Sequence, residues 1–104
     1  MSQIPSIPLP AAQALSKLGR ELAIARRKRG ISTSDMASRL FVSKDTLWRL
    51  ERGDRSVALG TLATAAFVLQ MQDRLANLFS PASDVLALSL DEHRLPRRIR
   101  RPSL

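Results

Sequence analysis

Residues 31–53, ISTSDMASRLFVSKDTLWRLERG, carry the signals for two short helices separated by a turn. Ser32 and Ser43 each precede a helical pattern, and serine is preferred at a helix N-cap because its side chain accepts a hydrogen bond from a free backbone N–H. Gly53 follows the second helix, where a residue in the left-handed conformation commonly ends it. The stretch therefore predicts a helix that opens at Ser32, a turn, and a second helix from Ser43 to Gly53.

The apolar residues of this stretch predict how the two helices pack. Ala37 lies where the helices must cross closely, and a small side chain permits that approach. Leu47 and Leu50 are three residues apart, so they share the inner face of the second helix. The turn between the helices runs through Phe41 and Val42. This pattern is typical of a helix-turn-helix motif.

The outer positions of the second helix carry polar, basic and aromatic side chains, namely Lys44, Asp45, Trp48, Arg49 and Arg52. Such groups hydrogen-bond base edges, pair with phosphates or contact thymine methyl groups. When a helix enters the major groove, side chains near its N-terminus reach the bases first. We therefore predict that the helix reads DNA through base contacts from Ser43, Lys44, Asp45, Trp48 and Arg49.

The chemistry of these side chains limits what each one can contact. Lys44 and Arg49 are donors that match N7 and O6 of guanine. Asp45 can only accept, so it either contacts a cytosine amino group or orients Lys44 or Arg49. Trp48 has two interpretations: it lies on sugar and methyl groups of DNA, or it packs toward the preceding helix.

A second set of residues is predicted to contact the DNA backbone: Ser32, Thr33, Arg52, Arg55 and Ser56. The N-termini of both helices present free N–H groups to phosphates, and Thr33 could add a hydroxyl. Contacts of this kind position a protein on DNA without reading its sequence. The alternative for each basic residue is an ordinary solvated face.

Arg26 and Glu51 are predicted to be a structural pair. Glu51 lies at the end of the second helix and is expected to point toward the helix that carries Arg26. An ion pair there would fix the angle between the two helices and would keep the Glu51 carboxylate from repelling phosphate.

The rest of the chain predicts an all-α fold of five helices with a candidate sixth. The first helix is expected from about Ala12 to Arg29, ended by Gly30, with an inner face of Leu15, Leu18, Leu22 and Ala25. Ser56 is expected to cap a fourth helix, about Val57 to Leu69, with Leu59, Leu62, Ala63, Ala66 and Phe67 on one side. A fifth helix is expected at 72–79 and a sixth at 83–92. We divide the chain into a flexible N-terminal arm (1–11), a helix-turn-helix DNA-binding domain (12–80), and a C-terminal helix with a basic tail (81–104).

Composition limits the class of function. The chain has 104 residues and a net charge of +8, which favours a polyanionic partner, although a merely soluble basic protein would look the same. It has no Cys and a single His, so neither an enzyme nor a metal site is supported, and no cofactor is expected. No signal-peptide pattern or long apolar run is visible, so we expect a cytoplasmic protein without membrane contact.

Several of these residues together resemble the Xre or phage-repressor type of helix-turn-helix family, which has the lambda-repressor-like fold. The resemblance covers about 18–69 and depends on Arg26, GIS-T at 30–33, Ala37, VS at 42–43, TL at 46–47 and LERG at 50–53. It implies a five-helix domain, a homodimer on a palindromic operator, and repression of transcription. The family usually has glycine at the turn where this chain has Phe41, so either Phe41 is strained or the turn has a different shape.

The flanking sequence is most similar to HipB-type antitoxins. The similarity lies in DTLWRLERGDRSVALGTLATAAFVL, LANLFSPASD and the basic RLPRRIRR. It implies repression of the chain's own operon and binding of a HipA-like serine/threonine kinase toxin. The alternative is a stand-alone Xre-family repressor with no toxin partner. The candidate dimer contacts are Phe67, Met71, Leu75, Leu78 and Phe79. The basic tail has three interpretations: it is disordered, it contacts DNA phosphates, or it docks on a protein partner.

Overall fold

The computed structural model of the chain describes residues 6–93, which form six α-helices and a short 3-10 turn, with no strand in that range. The elements are α1 (Leu9–Lys28), α2 (Thr33–Leu40), α3 (Lys44–Glu51), α4 (Leu59–Val68), α5 (Gln72–Ala76), the 3-10 turn (Pro81–Ser83) and α6 (Val85–His93). The predicted all-α fold is confirmed. The start of the predicted N-terminal arm and the arginines of the predicted basic tail lie outside the described residues.

The chain divides into two compact units, one ending at Gln72 and the other beginning at Asp73. In the first unit α3 packs against α1 and α2, and α4 packs against α2. Its most deeply buried large side chains are Met36, Leu47 and Leu69, from α2, α3 and the end of α4. The helices are short, so their stability comes mainly from this shared core rather than from the helices themselves.

Both predicted serine caps of the helix-turn-helix are confirmed. The Ser32 hydroxyl accepts a hydrogen bond of 3.0 Å from the Asp35 N–H, and the Ser43 hydroxyl accepts one of 3.1 Å from the Thr46 N–H. Each cap satisfies a backbone donor that has no partner inside its helix. The caps fix where α2 and α3 begin and therefore which residues stand first on α3.

Other predicted helix ends were wrong by two or three residues. α1 begins at Leu9 instead of Ala12, because Pro10 lies in the first turn, where its missing N–H costs no hydrogen bond. Ser56 does not cap α4; Ala58 occupies the cap position, without a side-chain hydrogen bond. α5 is shorter than predicted and ends at Ala76.

The predicted inner face of α4 is confirmed at Leu62 but was wrong at Leu59 and Phe67. Leu59 is 80% exposed and Phe67 is 65% exposed, whereas Ala65 is fully buried and Leu62 packs against the core. α4 reads LGTLATAAFV and is apolar on nearly every side. Apolar periodicity therefore could not indicate which side is buried.

The turn between α2 and α3 has a left-handed residue although it contains no glycine. Phe41 has φ 57° and ψ 41°, its N–H donates to the Ser38 carbonyl at 3.1 Å, and the Val42 N–H donates to the Ala37 carbonyl at 3.0 Å. These two bonds form the Schellman motif that ordinarily places glycine at this position. Of the two alternatives, a strained Phe41 is therefore correct, and its side chain is 91% exposed.

The second unit contains the 3-10 turn and α6. The Asp84 carboxylate accepts a hydrogen bond of 3.1 Å from the Ala87 N–H, so α6 begins at Val85 rather than at 83 as predicted. Phe79, Val85 and Leu86 remain largely exposed. The described part of this unit thus leaves much of its apolar surface open.

Candidate nucleic-acid interface

The inner face of α3 fixes which side chains point outward. Leu47 and Leu50 are buried in the core of the first unit. Ser43, Lys44 and Asp45, at the N-terminal end, are exposed. The cap and the two buried leucines therefore leave one end of α3 free to meet a ligand.

Arg26 and Glu51 form a buried ion pair that joins α1 to the C-terminal end of α3. Arg26 Nε donates to Glu51 Oε2 at 2.7 Å, and Nη2 donates to Oε1 at 3.2 Å. Arg26 Nη1 donates to the Ile31 carbonyl at 2.8 Å. Only 7% of the Arg26 side chain and 13% of the Glu51 side chain is exposed. The pair therefore holds α1, the start of α2 and the end of α3 in one arrangement.

Gly19 permits a close approach between the same two helices. A Cβ at Gly19 would lie 2.6 Å from the Glu51 carbonyl oxygen and 2.7 Å from the Gly53 backbone nitrogen. Only glycine fits, because both neighbouring atoms are backbone. Gly19 was not among the residues predicted to matter, although a glycine within a helical pattern is a signal of close packing.

Trp48 and Arg52 interact on the outer side of α3. The Arg52 guanidinium carbon lies 4.4 Å from the centre of the Trp48 ring, which is within the range of a cation–π contact. Trp48 is 55% exposed. The contact therefore holds the positive charge of Arg52 beside the exposed ring of Trp48.

Arg49 is held by the loop that follows α3. Its Nε donates to Asp54 Oδ2 at 3.2 Å, and its Nη2 donates to the Ser56 hydroxyl at 2.8 Å. Asp54 Oδ1 in turn accepts from the Ser56 N–H at 2.8 Å and from the Ser56 hydroxyl at 2.6 Å. Asp45 Oδ2 lies 3.9 Å from Arg49 Nη1. Asp54 was not among the site residues predicted from the sequence, although the Asp-x-Ser spacing is that of a side chain that bonds the backbone two residues on.

This network lowers the pKa of Asp54 from its usual 3.8 to about 2. The hydroxyl of Ser56 contributes most, followed by the Ser56 N–H and the Arg49 guanidinium, because each donates a hydrogen bond to the charged carboxylate. Asp54 therefore stays negatively charged to well below the pH at which an ordinary aspartate is protonated.

We expect the Asp54 carboxyl to titrate near pH 2 when its carbon resonance is followed by NMR. Its folded pKa lies below its unfolded pKa, so its contribution to stability is present above pH 3.8 and is lost as the pH falls through about 2. Ser56→Ala should raise this pKa more than Arg49→Ala, because the Ser56 hydroxyl has the larger effect. Titration of the unmodified protein near pH 3.8 would contradict the network.

The predicted backbone-contacting residues are not all in one cluster. Ser56 contacts Arg49, and Arg52 contacts Trp48. Arg55 lies between Arg52 and Ser56 in the chain and is exposed. Ser32 and Thr33 lie at the start of α2, and within the described residues neither hydrogen-bonds to an α3 side chain. The Ser32 and Ser43 hydroxyls are already engaged as caps.

A family model described as a helix-turn-helix domain matches residues 17–79, more than half of the chain. The chain belongs to this helix-turn-helix domain family. A search of curated proteins and a search of solved structures each gave no match. In this helix-turn-helix domain α2 and α3 are the two helices on either side of the turn, and α3 occupies the position of the second helix of the motif.

The family assignment indicates a DNA-binding regulator, and domains of this kind typically carry no catalytic activity. Within residues 6–93, no helix has both the length and the apolar character that are needed to cross a membrane. The net charge of +8 suits a polyanionic ligand.

Proposed function

We propose that this protein is a sequence-specific DNA-binding repressor whose α3 enters the major groove. The observation that carries the proposal is the N-terminal end of α3, where Ser43, Lys44 and Asp45 are exposed to solvent while Leu47 and Leu50 are buried in the core. In a groove that admits one helix, side chains at this end reach base edges first. Trp48 and Arg49 complete the proposed base-contacting set, one turn later.

The phosphate contacts are proposed to come from residues that flank α3. Arg52 and Arg55 supply charge, and Ser32 and Thr33 supply hydroxyl or backbone donors. Ser56 completes the proposed set, but its hydroxyl and N–H both donate to Asp54, so a phosphate contact would replace one of these bonds. The exposure of Trp48 supports the interpretation in which its ring lies on sugar and methyl groups. Arg52 is ordered on that ring, so a phosphate contact there would require little additional ordering of the side chain.

We further propose that the protein acts as a homodimer on a palindromic operator. One helix-turn-helix buries little surface on DNA, and two recognition helices about 34 Å apart match one turn of the duplex. Exposed apolar side chains support a protein interface. Phe67 is exposed in the first unit, and Leu78 and Phe79 are exposed in the second. Met71 and Leu75 complete the proposed set of dimer contacts.

The finer proposal is that the repressor is the antitoxin of a HipBA-like system, cytoplasmic, repressing its own operon and binding a HipA-like kinase toxin. Its supports are the sequence resemblance and the open apolar surface of α6, where Val85, Leu86 and Leu88 are at least half exposed. The alternative remains a stand-alone repressor. A partner of kinase size that co-purifies in fixed ratio from the native host favours the antitoxin, and DNA binding without such a partner favours the alternative.

The repressor proposal is tested by selecting duplexes from a randomised pool with the purified protein. Lys44→Ala is expected to weaken the selected duplex by about 1–3 kcal/mol more than random DNA, because a base contact is lost. Arg55→Ala is the matched control: it should weaken both alike and lower the salt slope by about 1. Failure to enrich any sequence, or equal losses on both DNAs for Lys44→Ala, would contradict the proposal.

A further inference from the structure

The Arg49 guanidinium is only partly used by the contacts that hold it. Arginine has five N–H donors in a rigid planar fork. One Nε–H and one Nη2–H are taken by Asp54 and Ser56, which both lie on the side edge of the guanidinium. The end edge, formed by Nη1 and the second Nη2 donor, makes no hydrogen bond within the described residues, since Asp45 at 3.9 Å is too far for one.

The position of Asp54 is unfavourable for a DNA-binding surface unless it serves another group. Asp54 lies three residues after α3 and stands in the chain between Arg52 and Arg55, where a negative charge would oppose phosphate. All of its side-chain hydrogen bonds go to Arg49 and Ser56. The two bonds from Ser56 shape the loop, and the bond from Arg49 is the one that joins this loop to a side chain of α3 within the described residues.

We propose that Asp54, aided by Ser56, is a positioning residue that fixes Arg49 by its side edge so that the end edge is presented to a guanine. The inference rests on the proposed function and deepens it, because it names the group that orients Arg49 toward guanine. Guanine offers N7 and O6 as adjacent acceptors in the major groove, and two parallel N–H donors match them. Asp54 does not touch DNA in this arrangement.

Holding the side edge matters because a free arginine has many conformations. Two polar anchors on the loop restrict the side chain before DNA arrives, so little conformational freedom is lost on binding. The anchors also direct the two donors of the end edge, and two donors match the N7 and O6 acceptors of guanine but not the N7 acceptor and N6 donor of adenine. Without them Arg49 keeps its charge and still attracts phosphate, but its orientation is no longer fixed.

The test uses a duplex enriched by the unmodified protein and variants of that duplex in which each G·C pair is replaced in turn by A·T. Asp54→Asn is expected to reduce discrimination at one G·C pair by about 10- to 100-fold, the same pair that Arg49→Ala affects. Affinity for random DNA should stay equal or rise, since a negative charge is removed. Asp54→Asn combined with Arg49→Ala should lose no more discrimination than Arg49→Ala alone.

The matched control is Asp35→Asn, which removes an exposed carboxylate of α2 that pairs with Arg39 at 3.0 Å. It changes the charge by the same amount and should affect all duplexes alike. Ser56→Ala keeps the Asp54 charge and should produce a smaller loss at the same G·C pair. The folded state of each variant is checked by circular dichroism, and slowed exchange of the Arg49 Nε–H is followed by NMR.

Unchanged discrimination in folded Asp54→Asn, while Arg49→Ala loses it, would overturn the positioning role. Equal behaviour of Asp54→Asn and Asp35→Asn on every duplex would overturn it as well. If Asp54→Asn did not fold, a folded Ser56→Ala variant that kept full discrimination at this G·C pair would also overturn the positioning role. Failure of the unmodified protein to enrich any duplex would instead contradict the proposed function, so the two failures are distinguishable.

Discussion

Glu51→Ala is expected to destabilise the protein by about 3–5 kcal/mol, because it leaves the Arg26 guanidinium buried without its carboxylate. The loss should appear as a lower midpoint of urea unfolding with little change in slope. Such a loss is a large part of the stability of a small domain. The proposed base-contacting side chains are untouched, so sequence preference on DNA should be retained at temperatures where the variant is folded.

The matched control removes both charges. Arg26→Met combined with Glu51→Leu is expected to be more stable than Glu51→Ala alone, because neither partner is then left as an unpaired buried charge. A double-mutant cycle with alanine at both positions should show strong coupling between them. Strictly additive losses would mean that the two side chains act independently, contrary to the bidentate contact.

Gly19→Ala is expected to be the other strongly damaging change, with a loss of about 1–3 kcal/mol or more from overpacking. The added methyl would meet the Glu51 carbonyl oxygen at 2.6 Å, and a backbone atom cannot rotate away as a side chain can. α1 and the end of α3 would have to separate. Thermal and urea unfolding measure the loss.

Gly60→Ala is the control for Gly19→Ala, because Gly60 also lies in a helix but an added Cβ there would meet no atom within 4 Å apart from the adjacent backbone of its own helix. Alanine has the higher helix propensity, so this change should stabilise the protein by up to about 1 kcal/mol. Changes of opposite sign at the two glycines are expected. A neutral Gly19→Ala would show that α1 and α3 can move apart without cost.

The features that could be predicted from the sequence are those that depend on residues a few positions apart in the chain. The caps at Ser32 and Ser43 were predictable because a serine and the backbone N–H three residues on are sufficient to form them. The inner positions Leu47 and Leu50 followed from helical spacing. These few local signals placed α2 and α3 and hence the candidate site.

Features that depend on distant packing were not predictable in the same way. α4 is apolar on nearly all sides, so its buried side is chosen by what α2 presents to it rather than by its own pattern. The role of Gly19 depends on how closely α1 crosses the end of α3. The hold on Arg49 depends on the path of a loop that brings residues five and seven positions later back to its guanidinium.

The left-handed turns at Phe41 and Gln70 have a consequence for how this sequence can change over evolutionary time. Both positions have positive φ without being glycine, whereas Gly30 and Gly53 meet the same geometric demand at little steric cost. Each non-glycine residue in this conformation forgoes on the order of 1 kcal/mol. A single-residue change to glycine at either turn could thus offset a moderately harmful mutation elsewhere, which enlarges the set of functional sequences within reach of this one.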